Sequence, residues 1–168
     1  VIFGEGNRGN VYNLFKQISS GSFVMIGNGK NKKSMAYVRN VAAFIKDQLE
    51  MSKEGYYIFN YVDKPDLTMT ELVRVIQSKM NNSLPKVRIP YIIGLMLGFF
   101  IDLTAKLTSK KFSISSVRIK KFCATTQFNA SKAHSVFQAP FTLEEGLNNT
   151  LEHEFTSPKD DDILFYTE

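Results

Sequence analysis

Cysteine and histidine are nearly missing from this 168-residue chain, which holds one Cys and two His. The lone thiol, Cys123, excludes an internal disulfide, and with only His134 and His153 beside it no Cys/His zinc site can be assembled, so no metal is expected. So little cysteine suits a cytoplasmic protein. Acid is missing from a long stretch as well, since no Asp or Glu lies between Glu5 and Asp47. No Ser-His-Asp set, paired-carboxylate spacing, H-E-x-x-H or lysine-bearing P-loop is present, which leaves binding as the role the segment is equipped for. Internal repeats and low-complexity tracts are also lacking. The uncharged run Ile89–Ile101 is 13 residues. A bilayer-spanning helix needs about 20, so the run is expected to form a buried core helix in which Gly94 and Gly98 permit close packing, with a membrane-surface role for Ile92 to Ile101 and the lysines that follow as the alternative.

What is present fits one globular domain, with 43% hydrophobic residues and a net charge of +5. The chain opens at Val1 inside an extended apolar run, which is expected of a piece of a longer polypeptide. Positive charge is uneven: Lys30, Lys32, Lys33 and Arg39 form one cluster, and Lys106, Lys110, Lys111, Arg118, Lys120 and Lys121 another. Such clusters suit a phosphate-bearing ligand or an anionic surface, or simply a solvated face, and no recognition motif accompanies them, so a nucleic-acid partner is not expected. Three N-x-S/T matches, at Asn81, Asn129 and Asn148, are too common a pattern to indicate secretion.

Helical stripes alternate with short apolar runs, which predicts an α/β architecture. Val11, Leu14, Phe15 and Ile18 share one helical face, and Val41, Phe44, Ile45 and Leu49 share another. Strands are predicted at 23–26, 34–38, 56–62 and 86–89. Thr68-Met69-Thr70-Glu71 and Thr142-Leu143-Glu144-Glu145 have the form of capping boxes, each opening a helix. A helix is also predicted from Ser113 to Ala124, with Val117, Ile119 and Phe122 inward. Residues 156–168 read as a polar tail.

Two loops can receive an anion. Gly4-Glu5-Gly6-Asn7-Arg8-Gly9 matches G-x-G-x-x-G and leads into a helix, offering amides, the Arg8 guanidinium and Asn10. A dinucleotide fingerprint also needs an acid about 20 residues on, and none is there. Lys30, Lys32 and Lys33 keep an NADP variant of the motif open at this point. The second loop, Gly27 to Ser34, adds ammonium groups and a hydroxyl. If both loops face one cleft, a diphosphate is the natural guest.

Taken in order, Val1-Ile2-Phe3-Gly4-Glu5-Gly6-Asn7-Arg8-Gly9-Asn10, Ile26-Gly27-Asn28-Gly29-Lys30-Asn31, Ser34-x-x-Tyr37-Val38-x-Asn40-Val41-Ala42, Phe128-Asn129-Ala130-Ser131-Lys132-Ala133 and Leu143-Glu144-Glu145-Gly146-Leu147 resemble the C-terminal half of extended short-chain dehydrogenases/reductases, the NAD-dependent epimerase/dehydratase group. The resemblance covers residues 1–155. It implies a Rossmann-type α/β fold, represented here by a few short strands packed with several helices. It also implies that an absent N-terminal half carries the NAD or NADP site and the tyrosine–lysine catalytic pair, while this portion holds a nucleotide-diphosphate sugar. Tyr37, Tyr57 and Tyr61 lack a lysine four positions on, so none is the catalytic tyrosine. The resemblance places Asn10 at a nucleotide or diphosphate contact and Lys33 where many sugar-nucleotide members have arginine, with Arg8, Ser34 and Arg118 as further substrate-binding candidates. Related members act on steroids or flavonoids, and the apolar helix keeps that alternative open, as does a non-catalytic binding module. The segment alone is expected to be inactive and, lacking sheet partners, of limited stability; a homodimer is compatible with the resemblance.

Overall fold

The computed structural model describes residues 1–51, 54–85, 87–108 and 114–157. Lys86, Lys110, Lys111, Ser113 and the tail beyond 157, all named above, lie outside the described residues.

A three-stranded sheet runs in the order β1 (Ile2–Phe3), β3 (Lys32–Tyr37), β4 (Asp63–Thr68). β1 pairs parallel to β3 with Phe3 opposite Tyr37, and β4 pairs antiparallel to β3. β4 carries Pro65, which cannot donate to a ladder, and it sits at the sheet edge as that requires. A separate parallel pair joins β2 (Met25–Ile26) to β5 (Arg88–Ile89). Seven α-helices accompany them among the described residues: α1 (Asn10–Ser19), α2 (Val38–Glu50), α3 (Met69–Met80), α4 (Tyr91–Thr108), α5 (Ser116–Cys123), α6 (Ser131–His134) and α7 (Leu143–Leu151), the last continued by a π turn, Glu152–Thr156.

Both capping boxes form. The Thr68 and Thr142 hydroxyls accept the Glu71 and Glu145 amides, and each glutamate carboxylate accepts the threonine amide in return. Each such cap contributes about 1 kcal/mol. Asn81, at φ 48°, ends α3 in the left-handed conformation that asparagine tolerates. α3 touches both α1 and α7, and Phe15, Ile18, Leu72, Ile76, Leu147 and Leu151 fill the core they share with Phe3 and Tyr37 of the sheet.

Three expectations are corrected. Residues 56–62 form no strand: Tyr56 and Ile58 are exposed, while Phe59 and Tyr61 pack their rings on Phe44 at 5.5 and 5.0 Å. Their alternation of aromatics serves ring packing rather than a ladder. On α2 only Asn40 and Phe44 are buried, and Ile45 and Leu49 face solvent. The largest difference concerns α4, expected in the core. Of its 18 residues only Gly94 and Gly98 are buried. A Cβ at Gly94 would meet Ile26 at 2.7 Å, and one at Gly98 would meet the Ser116 backbone at 2.8 Å. The glycines do permit close packing, as read from the sequence, but they do so by presenting bare backbone to the protein and turning the large side chains outward.

Candidate functional site

The glycine turn comes first, because it decides whether a dinucleotide fits. Glu154, buried in the π turn, reaches back across the fold so that one carboxylate oxygen accepts the Gly6 amide at 2.7 Å and the other pairs with Arg8 at 2.7 Å. A protein carboxylate thus holds an amide and the guanidinium that a pyrophosphate would need, and Arg8 lies over the Tyr12 ring besides. The turn does not fit NAD or NADP. Asn10, the first residue of α1, is exposed and lines a shallow hollow of about 240 Å³ beside the same turn.

The second loop is built differently. Gly27 and Gly29 adopt φ of 81° and 68°, and a Cβ at Gly29 would collide with the Thr70 hydroxyl. The Gly29 and Asn31 carbonyls accept the Thr70 and Met69 amides at the start of α3, and the Asn31 side chain donates to the Phe122 carbonyl of α5 at 2.8 Å. The loop is therefore tied to α3 and α5 through Gly29 and Asn31, and to β5 through Gly27 and Asn28, before any ligand arrives. Between this loop, the N-terminus of α4 and the face of α5 lies an open cleft of about 330 Å³, bordered by Gly27, Asn28, Asn31, Tyr91, Lys120 and Cys123. The positive end of an 18-residue helix and one ammonium group converge there. Burial pushes the Cys123 thiol up despite the nearby Lys33 charge, which leaves it protonated and a poor nucleophile.

The five residues singled out from the sequence are not brought into one place. Lys33 donates its ammonium to the Lys121 and Ala124 carbonyls at 2.7 and 2.5 Å, bracing β3 against the end of α5, and burial lowers its pKa. Ser34 is buried, donating to Asp66 and accepting the Phe128 amide. Asp66 is held below the usual carboxylate range by bonds from Lys64, Gln127 and Ser34, which outweigh its burial. Arg118 stands exposed on α5, two residues from Lys120. Arg8 and Asn10 belong to the glycine turn. The sequence reading missed Tyr91 and Asn31 as cleft residues. A helix start after Pro90 and an asparagine in a glycine loop were the signals for them.

A further polar cluster ties the strands to the helices. The buried Asp63 carboxylate accepts the Tyr37 amide at 2.6 Å, the Asn40 side chain at 2.9 Å and the Tyr61 hydroxyl at 2.9 Å. Asn40 in turn exchanges two bonds with the Phe141 backbone, 2.8 and 3.1 Å. Among the described residues no group of three or more His, Cys, Asp or Glu is placed to hold a metal.

No family model matches the chain. Over its whole length it is 54% identical to the N-acetyl-alpha-D-glucosaminyl-diphospho-ditrans,octacis-undecaprenol 4-epimerase of Escherichia coli O157:H7, of which it covers 51%. Over 90% of its length it is 30% identical to a decarboxylating sterol-4-alpha-carboxylate 3-dehydrogenase of Candida albicans, of which it covers 47%. Its fold matches 42% of a UDP-glucuronic acid 4-epimerase of Bacillus cereus, solved with UDP-glucuronic acid and NAD, at a TM-score of 0.60 and 13% identity over 90% of the chain. The chain spans about half the length of the curated relatives it matches. The Escherichia relative is an epimerase of the NAD-dependent epimerase/dehydratase family, and by sequence and fold the chain corresponds to the C-terminal portion of such extended short-chain dehydrogenases/reductases.

Proposed function

We propose that this chain is the substrate-holding side of an NAD(P)-dependent 4-epimerase acting on a diphosphate-linked N-acetylhexosamine, the cofactor and the tyrosine–lysine pair being supplied by the rest of the polypeptide. The observation that carries the reading is the 54% identity, over the whole chain, to an enzyme named for that reaction. The cleft beside α4 supports it chemically. A diphosphate seated at the α4 N-terminus gains the helix dipole and the Lys120 ammonium, while the pre-tied loop from Gly27 to Asn31 loses little freedom on binding. Arg118, on the helix α5 that borders the cleft, can add charge nearby, whereas the Lys33 ammonium is taken by the Lys121 and Ala124 carbonyls. Arg8, Asn10 and Ser34 are left for the sugar or for structure.

The glycine turn, closed by Glu154, leaves cofactor binding to the absent half. Sheet geometry agrees, because β1 has a partner on one side only and its open edge can accept further parallel strands. The activated sugar is either nucleotide-linked, as in the Bacillus structure, or polyprenol-linked, as in the Escherichia enzyme, and the diphosphate is common to both.

The test is to supply the full-length polypeptide with NAD and, separately, UDP-N-acetylglucosamine and polyprenyl-diphospho-N-acetylglucosamine, and to analyse the sugar released from each. Inversion at C4 of either is expected, and Lys120→Ala should raise KM about tenfold through loss of a charge-assisted contact. The 168-residue chain alone should convert neither. A full-length protein that inverts neither sugar but oxidises a 3-hydroxysteroid would overturn the reading in favour of the second one, which the Candida relative supports.

A further inference from the structure

α4 leaves uncovered the most apolar surface among the described residues. Ile92, Met96, Phe99, Phe100, Leu103 and Leu107 recur at helical spacing on one face, each 50% or more exposed. Gly94 and Gly98 lie on the opposite face, against Ile26 and Ser116. Only 11% of the helix is buried, although its length and composition would let it cross a membrane. Crossing is excluded by its attachments. The Asp102 carboxylate accepts the Ser116 amide at 3.1 Å, and α5 runs alongside with Arg118, Lys120 and Lys121, so polar groups are fixed to the middle of the helix.

Charge identifies what covers the face. Asp102 is the only acid between Glu71 and Glu144, and it points to α5, whereas 11 Lys and Arg lie in the same interval. Lys120 places its ammonium 5.4 Å from the centre of the Phe99 ring, at the border of the stripe, and Lys106 is exposed on α4 itself. An apolar stripe with aromatics, rimmed by ammonium groups and nearly free of carboxylates, is the pattern of a helix lying in a bilayer interface. A second copy of the chain is a poor cover, because apposed α4 faces would bring like-charged rims together.

We propose that α4 docks in the plane of an anionic lipid bilayer, its stripe sunk at the headgroup boundary and the lysines of α4 and α5 facing lipid phosphates. Docking does not depend on the sugar carrier or on the epimerase reading, because its apolar stripe lies outside the cleft and only Lys120 is shared with it. It would, however, hold the cleft, which opens at the α4 N-terminus, beside the membrane.

The experiment is co-sedimentation of the full-length protein with vesicles of phosphatidylglycerol and phosphatidylethanolamine, and with vesicles of phosphatidylcholine alone. Binding to the anionic vesicles, with weaker binding to the neutral ones, is expected. Phe100→Ser with Leu103→Ser should weaken partitioning about tenfold or more, from the apolar area withdrawn. Lys106→Gln with Lys121→Gln should weaken it about tenfold and remove most of its salt dependence. Turnover of a water-soluble sugar nucleotide, measured on the same preparations, should be unchanged and separates loss of docking from loss of fold. Three results overturn the proposal: a full-length protein that stays in the supernatant, vesicle binding that none of the four substitutions reduces, or a dimer in light scattering that Phe100→Ser with Leu103→Ser dissociates.

Discussion

The layer formed by α1, α3 and α7 and the arm formed by α4 and α5 use apolar side chains in opposite ways. In the layer, helices of balanced composition bury Ile18, Ile76, Leu147 and Leu151 completely. In the arm, the most apolar helix of the chain buries two glycines. Hydrophobic content therefore does not decide which helix enters the core; the contrast between its two faces does. α3 has a polar side, from Thr70 and Glu71 to Lys79, that fixes how it must turn. α4 has no polar side, and the residues with the least bulk determine its contact instead.

That contrast can be broken most severely at Asp63. Asp63→Ala leaves the Tyr37 amide, the Asn40 side chain and the Tyr61 hydroxyl without their acceptor in a buried site, which should cost about 3 kcal/mol or more. A urea titration followed by near-ultraviolet circular dichroism measures it, and an unchanged midpoint would contradict the role assigned to this carboxylate. Next come two matched glycines. At Gly146 a Cβ would lie 2.6 Å from the Tyr37 ring, and at Gly98 one would lie 2.8 Å from the Ser116 backbone. Helix propensity favours alanine by up to about 1 kcal/mol at each, against an overpacking cost of about 1–3 kcal/mol. Gly146→Ala should show a net loss of about 1–2 kcal/mol through the core, and Gly98→Ala a smaller loss confined to the α4–α5 contact. Hydrogen exchange resolves the two, since only the first should lower protection in α1 and α3.

A smaller effect is expected from alkali. Burial, then the hydrogen bond to Glu5, pushes the Tyr37 phenol up to about 12, and burial followed by the Asp63 charge moves Tyr61 in the same direction. The folded state holds these protons more tightly than the unfolded chain, whose phenols titrate near 10, so their contribution is complete below about pH 10 and is lost as pH rises toward 12. Stability measured across that window should fall, and less steeply in Tyr37→Phe. The smallest effect belongs to the arm: Phe100→Ser, at an exposed position, should leave stability in solution within about 0.5 kcal/mol of the parent. A large loss there would mean that the face is covered after all.

Much of the layer was legible in the sequence because its signals are local. Both capping boxes lie within four residues, and the stripe of Phe15 and Ile18 within one helical turn, so propensity and period suffice. The family, too, was legible from the order of short motifs. What escaped was set by distant partners. Glu154 closes the glycine turn from 148 residues away, and no spacing rule links it to Gly6. The side on which α4 meets the protein was hidden because apolar residues surround the helix and periodicity is silent there. Residues 56–62 have strand-like composition, yet their partner is the Phe44 ring rather than a neighbouring strand.

Lys33 has a mechanical consequence. Its ammonium grips the last carbonyls of α5, and its backbone forms a parallel bridge with Thr126, so one residue fastens strand β3 to both the helix and the segment that leaves it. The two walls of the cleft are cross-braced at their base, like the legs of a trestle. An anion entering the cleft meets walls already fastened to each other, one at the glycine loop and one at α5.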